Sequence, residues 1–422
     1  MTGSMTGQAR EKSPAAFVDE RRLWDRHMAL ARIGATAGGG VNRQALTKGE
    51  SAAWGVLYGW AQCRGLSVLT DPLGNLFIRM EGRDPDQPVV LTGSHLDTQP
   101  TGGRFDGVYG VLAGFEVLEA LLDADLKPQR SIEVVSWMNE EGARFAPGMM
   151  GSAGFVGVRS PEEIRAVSDN EGVSVGEALD LFHGSLPQLL RRPIGFPVHC
   201  FLEAHIEQGP LLEAAQVPIG VVTGMQGKRT FRVTVRGEAA HAGTTPRRQR
   251  RDALMAATSL AQSLYRLCED PEDLVRFTIG RFLVDPGAPS VVPARVVFSI
   301  DLRHPDNAHL MRLGDLVRST CEACNGVCDV QVEELSCAPA LTFPDSVQSD
   351  IETAAHRLGL RHMRILSSAG HDARHLHKVC ETGMIFVPCR EGISHHESES
   401  AAPGDLAAGA KVLAEMVWDR AN

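Results

Sequence analysis

Apolar residues recur at helical spacing over residues 18–33 and 48–64, which predicts two amphipathic helices at the start of the fold. Short apolar runs follow. Residues 67–70 and 75–80 read as a hairpin turning at Asp71-Pro72-Leu73-Gly74. Residues 88–92 and 131–138 read as buried strands with a helix over 108–122 between them. Strand and helix alternating in this way predict an α/β sheet carrying helices on its faces. In such sheets, ligands gather beyond the carboxyl ends of the strands.

A further strand is expected at 198–204. After Ile219 the pattern changes: 228–236 alternates as a half-exposed strand, 251–268 is a long helix, and 291–302 alternates again. This block, 222–334, has its own strand–helix–strand rhythm, and we expect it to be an inserted smaller α+β domain. The larger domain would then be discontinuous, 1–221 with 335–422. Within its second part a buried strand returns at 383–388 and a helix closes the chain at 406–418. The chain shows no internal repeat or low-complexity tract.

At 422 residues the chain exceeds the usual size of a single core, which agrees with two domains. A formal net charge of −10 argues against nucleic acid or an anionic membrane as partner. No apolar run has the length of a membrane-spanning helix. Residues 1–12 carry no hydrophobic stretch to serve as a signal peptide, and residues 1–17 are expected to be disordered. Nine cysteines without a signal point to reduced thiols in the cytoplasm. Cys321, Cys324 and Cys328 have a CxxCxxxC spacing. They read better as small apolar residues on one face of a helix ending at Asn325-Gly326 than as a metal or cluster site.

The chemistry is concentrated in a few places. Gly93-Ser94-His95-Leu96-Asp97-Thr98 follows one strand, and a glycine-rich turn leads from it to Phe105-Asp106-Gly107. Glu140 and Glu141 end the apolar run 132–138, and His205 ends the run 198–204. A single histidine at a strand end is usually structural, and adjacent acids usually face solvent. Several such residues, all at expected sheet edges, are harder to explain that way. Imidazole with carboxylate suits borderline-hard divalent ions, and a spare carboxylate beside them is the base that a metal-activated water needs. Asp97 is placed to orient His95 from behind. A hydrolase using divalent metal is the expectation.

Residues 93–107, 139–145, 203–210, 241–246 and 392–395 together resemble the hydantoinase/carbamoylase branch of the M20 metallopeptidase clan, which includes carbamoylases, β-ureidopropionase and allantoate amidohydrolase. The resemblance implies a metal-dependent exopeptidase-like catalytic domain with an inserted lid or dimerisation domain, working as a homodimer on a small carboxylate substrate. It further implies two divalent ions (Zn, Mn, Co or Ni) held by His95, Asp106, Glu141, His205 and His395, with Asp106 bridging. Glu140 would be the general base, and His241 would stabilise the reacting carbonyl. Gln208, Ser290, Arg303 and Gly370 would bind substrate. Ser290 stands where the family usually has asparagine, Arg247 replaces a methionine, and His396-Glu397 replace Asn-Pro or Asn-Glu. Arg374 and His375 add polar groups near the expected substrate end, and Arg374 could hold a second acidic group. The reaction implied is hydrolysis of an N-carbamoyl amino acid. Allantoate or another ureido acid is the alternative substrate, and a non-catalytic metal-stabilised binding protein is the alternative class.

Overall fold

In the computed structural model, which describes residues 13–324 and 326–422, the principal sheet is mixed. Its strands run in the order Ile219–Met225, Glu381–Val387, Val198–Ile206, Val89–His95, Ile132–Trp137, Leu76–Met80 and Ser67–Thr70. The strands from Glu381–Val387 to Ile132–Trp137 are mutually parallel, and those on either side of them are antiparallel. The parallel strands are buried on both faces, as crossover helices require. Helix Val108–Asp123 makes the crossover from Val89–His95 to Ile132–Trp137 and is buried along nearly its whole length. Helix Pro403–Ala421 packs against it.

Contacts divide the chain into two units, one running to Thr223 and resuming over Phe343–Asn422, the other Gly224–Thr342. The return expected at 335 falls later because residues 335–338 continue strand Asp329–Ala338, which pairs with Gly227–Arg236. The smaller unit has the strand order Arg276–Thr278, Arg295–His304, Gly227–Arg236, Asp329–Ala338. Helices Ala253–Leu267 and Asn307–Ala323 join its core, where Phe231, Leu260, Phe298 and Val317 are buried together.

Three expectations need correction. The run 291–302 is not one strand. Val291–Val292 pairs with Ala240–His241, and a new strand begins at Arg295 after Pro293, which has no N–H for a ladder. Disorder does not extend through 13–17: Pro14–Phe17 is a 3-10 turn, and the Ser13 hydroxyl and Ala15 N–H both donate to the buried Glu415. Residues 1–12 lie outside the described residues. The three cysteines do not share a helix face either. The helix stops at Ala323, Cys324 is exposed, and Cys328 reaches the core from beyond it; Asn325 is outside the described residues. All nine cysteines are free thiols. Among the described residues, no helix is long and apolar enough to cross a membrane.

Candidate metal centre

The parallel strands run further than their apolar stretches, and this is what delivers the histidines. Strand Val89–His95 continues through Thr92, Gly93 and Ser94, so His95 is its last residue. His205 is likewise inside Val198–Ile206, while Glu140 and Glu141 follow Ile132–Trp137 and His395 follows Glu381–Val387. All four strands point the same way, so these side chains converge at one sheet edge. Asp106 enters from the turn that starts helix Val108–Asp123. Gly107 makes that turn possible: its φ is +67°, and a Cβ there would lie 2.3 Å from the His95 ring.

Asp106 stands at the centre. Its Oδ1 is 3.2 Å from His205 Nε2 and 3.8 Å from His95 Nε2, and its Oδ2 is 3.1 Å from His395 Nε2. Two groups therefore have ligand atoms close enough to hold an ion, His95–Asp106–His205 and Asp106–Glu141–His395, with the aspartate common to both. Glu141 Oε2 is 3.4 Å from His395 Nε2. Glu140 belongs to neither group, although its Oε2 is 3.5 Å from His95 Nε2.

Both buried imidazoles are oriented by backbone carbonyls. Nδ1 of His95 donates to Asp97 O and Nδ1 of His205 to Ile206 O, each at 2.9 Å, which turns both Nε2 atoms inward toward Asp106. Orientation of His95 thus comes from the carbonyl of Asp97. Its carboxylate, 3.6 Å from the ring, instead accepts the N–H groups of Glu140 and Glu141, both at 3.2 Å. Gln208, expected to touch substrate, donates to Asp106 Oδ2 at 3.0 Å and to Ser394 Oγ at 3.2 Å.

The electrostatics fit a cation. Burial, reinforced by the charge of Asp106, pushes the Glu141 carboxyl up to about 7. Burial also pushes Glu140 well above the carboxylate range. Burial disfavours a charged His95, yet the Glu140, Asp97 and Asp106 charges outweigh it and hold the imidazolium well above its ordinary value. A crowd of buried carboxylates that draws positive charge onto its imidazoles, with nitrogen and oxygen donors only, is the donor set of a divalent metal site.

Several participants escaped sequence reasoning. Glu203 is fully buried within strand Val198–Ile206, accepting from Ser94 Oγ at 2.7 Å and Ala373 N at 3.2 Å. With His205 and His371 it forms a third group of potential ligands. His371 packs edge-on against His205 at 4.5 Å, and Asp372 accepts from the Ser152 hydroxyl. An acid inside an apolar strand was the available signal for Glu203. Gly370 lies in the same loop, where a Cβ would be 3.3 Å from the Met149 methyl.

His241, Ser290 and Arg303 belong to the smaller unit. Ala242 N donates to Ser290 O at 3.0 Å, bringing His241 and Ser290 together across the short ladder. The exposed His241 ring accepts the N–H groups of Gly243 and Thr244 at Nδ1, which leaves Nε2 as its outward nitrogen. Arg303 lies within strand Arg295–His304 and bonds to Asp301 at 2.8 Å, an acid that also pairs with Lys228.

The chain belongs to peptidase family M20/M25/M40, whose profile matches residues 91–419. Within that class it is similar to the N-carbamoyl-L-amino-acid amidohydrolase of Rhizobium meliloti, 38% identical over 96% of this chain and 97% of that one. The allantoate amidohydrolase of Bacillus subtilis is 32% identical over 92% of this chain and 95% of its own. Among solved structures, an amidase of the hydantoinase/carbamoylase family from Burkholderia vietnamiensis superposes with a TM-score of 0.86. It is 43% identical and covers 96% of this chain and 98% of that one.

Proposed function

We propose that this protein is an amidohydrolase that cleaves the linear C–N bond of N-carbamoyl amino acids, consuming water and releasing amino acid, carbon dioxide and ammonia. The observation that carries the reading is the Asp106 carboxylate, shared by two ligand groups, with the largely buried Glu140 side chain beside them and outside both. His95 and His205 would hold one divalent ion and Glu141 and His395 a second, with Asp106 between them. Zinc, manganese, cobalt or nickel suits these donors. When bound, such ions polarise a carbonyl and acidify water. Glu140 accepts the proton of the attacking water at its carboxylate and returns it to the departing nitrogen. Asp97 fixes the turn from which Glu140 projects. Arg303 suits a substrate carboxylate because its planar fork matches two oxygens, and His241 Nε2 suits the carbonyl oxygen. Ser290, Gln208 and Gly370 complete the proposed substrate contacts.

We also propose a homodimer in the cytoplasm. Met255, Tyr265, Phe282, Leu283, Met311 and Leu316 leave large apolar side chains exposed on the smaller unit, and the free thiols suit a reducing compartment. Sedimentation as a monomer at micromolar concentration would remove the first of these.

The direct test is ammonia release from chelator-stripped protein given manganese, cobalt, nickel or zinc. The substrates are a panel of N-carbamoyl amino acids, ureidopropionate and allantoate. Turnover of carbamoyl amino acids, dependent on added metal, is expected. Turnover of allantoate alone moves the assignment to that substrate. Metal binding without any ammonia release leaves a binding protein and ends the proposal.

A further inference from the structure

Glu399 is buried four residues beyond His395, in the same loop but outside every group of potential ligands. Its Oε1 accepts two backbone N–H groups from the other side of the site, Phe105 N at 2.9 Å and Asp106 N at 3.1 Å. Its Oε2 lies 3.0 Å from the Ser394 hydroxyl, which is itself 3.2 Å from Asp106 Oδ2. The fit leaves no slack: a Cβ on Gly103 would fall 2.0 Å from the Glu399 carboxylate. One side chain thus ties the turn carrying Asp106 to the loop carrying His395.

Both loops need such a tie. His395 has a φ of +55°, a left-handed conformation that a non-glycine residue keeps only when its surroundings impose it. Its ring is about half exposed, so packing alone does not hold it. The backbone at Phe105 and Asp106 is buried, and without Glu399 those two N–H groups would lose their acceptor.

We propose that Glu399 is a positioning residue that sets Asp106 and His395 as one unit, so that affinity for a divalent ion depends on its hydrogen bonds. The inference rests on the metal-site reading above and specifies which residue outside the ligand set maintains it. Second-layer partners of metal ligands are worth about 10- to 100-fold in affinity, which sets the scale expected here.

The experiment is calorimetric titration of Zn²⁺ into chelator-stripped protein, with thermal midpoints measured alongside. E399A should lose about 10- to 100-fold in Zn²⁺ affinity. E399Q should stay within about threefold of wild type, because its amide oxygen still accepts from Phe105 and Asp106 and its NH₂ still reaches Ser394. E399D keeps the charge but is too short to span both loops, so it should weaken binding as E399A does, and it serves if E399A does not fold. Glu415→Ala, which removes a buried carboxylate accepting from Ser13 and Ala15, controls for lost stability and should bind Zn²⁺ as wild type does. The visible spectrum of the Co²⁺-loaded protein should change in E399A and E399D and not in E399Q or E415A. Wild-type affinity in E399D overturns the proposal, as does E399Q falling as far as E399A or E415A losing Zn²⁺ affinity equally. Failure of wild type to bind Zn²⁺ at all refutes the metal-site reading instead, and the same titration separates the two.

Discussion

Asp97→Asn isolates the turn that aims the proposed base. The Asp97 carboxylate is buried, and each of its oxygens accepts one N–H, from Glu140 and from Glu141, at 3.2 Å. An asparagine amide can serve only one of those donors, since its NH₂ would face the other. A hydrogen bond to a charged buried acceptor contributes about 1.5–3 kcal/mol. If that loss appears in how well Glu140 is held during proton transfer, kcat should fall by about 10- to 150-fold. KM should stay within about threefold, because no proposed substrate contact is altered. The tautomer of His95 should also survive, since it depends on the Asp97 carbonyl rather than its side chain. Steady-state ammonia release with zinc content measured on the same samples is the assay. Asp97→Ala, which strips both donors of their acceptor, should fall further. A kcat within twofold of wild type in D97N, or an effect confined to KM, would refute the idea that this carboxylate positions the Glu140–Glu141 turn.

Glu140→Gln keeps shape and burial but cannot take a proton, so kcat should drop by about 10²–10⁴ while zinc stoichiometry stays unchanged; loss of the metal would instead make Glu140 a ligand. Gly107→Ala drives a methyl group into the His95 ring at a positive-φ position, and a drop in Zn²⁺ affinity of about 100-fold or more is expected by calorimetry. His27 is fully buried against Phe105 and Tyr109, with neither ring nitrogen bonded among the described residues, and burial lowers its pKa to about 3. The unfolded chain takes up a proton near pH 6.5 that the folded one refuses. Stability is therefore complete above that pH and is lost as pH falls toward 3, by at most about 1.4 kcal/mol per unit. His27→Leu should remove this component, so its thermal midpoint should gain on wild type steadily from pH 7 to pH 4.5; a constant gap between the two would count against it.

Much of the fold was legible because parallel strands buried on both faces read as plain apolar runs, and the helix over 108–122 carries an equally plain apolar texture. Strand ends were less so. Gly93 and Ser94 look like a loop, yet neighbouring strands cover them and the ladder continues to His95. At 291–302 the opposite happened: alternation carried the reading across Pro293, where the missing N–H divides two strands. His95, His205, His395 and the Glu140–Glu141 pair stood out individually because imidazoles and acids at strand ends are chemically conspicuous, and Asp106 stood out in a glycine-rich turn, while their grouping as one ligand set came from the family resemblance. Their convergence around one carboxylate is a property of strand order, and strand order is not a local pattern.

Most of the supporting layer was illegible for a deeper reason. Asp97 was expected behind His95, but the bonds of its carboxylate to the next turn were not. Glu203, Glu399 and Asp97 are all buried carboxylates whose chief partners include backbone N–H groups, at Ala373, at Phe105 and Asp106, and at Glu140 and Glu141. A backbone donor has no side-chain identity, so nothing in the amino-acid sequence marks where such an acid will be received. The pairing rules that make Arg22 with Glu116 a natural guess do not operate here. What distinguishes these acids is position alone, each a few residues from a ligand in the chain and reaching to a different loop in space. A site built this way gives its most recognisable residues to the candidate ligand groups and its least recognisable interactions to holding them. Substitutions that preserve acceptor geometry, such as E399Q, should therefore be far milder than charge-preserving ones, such as E399D.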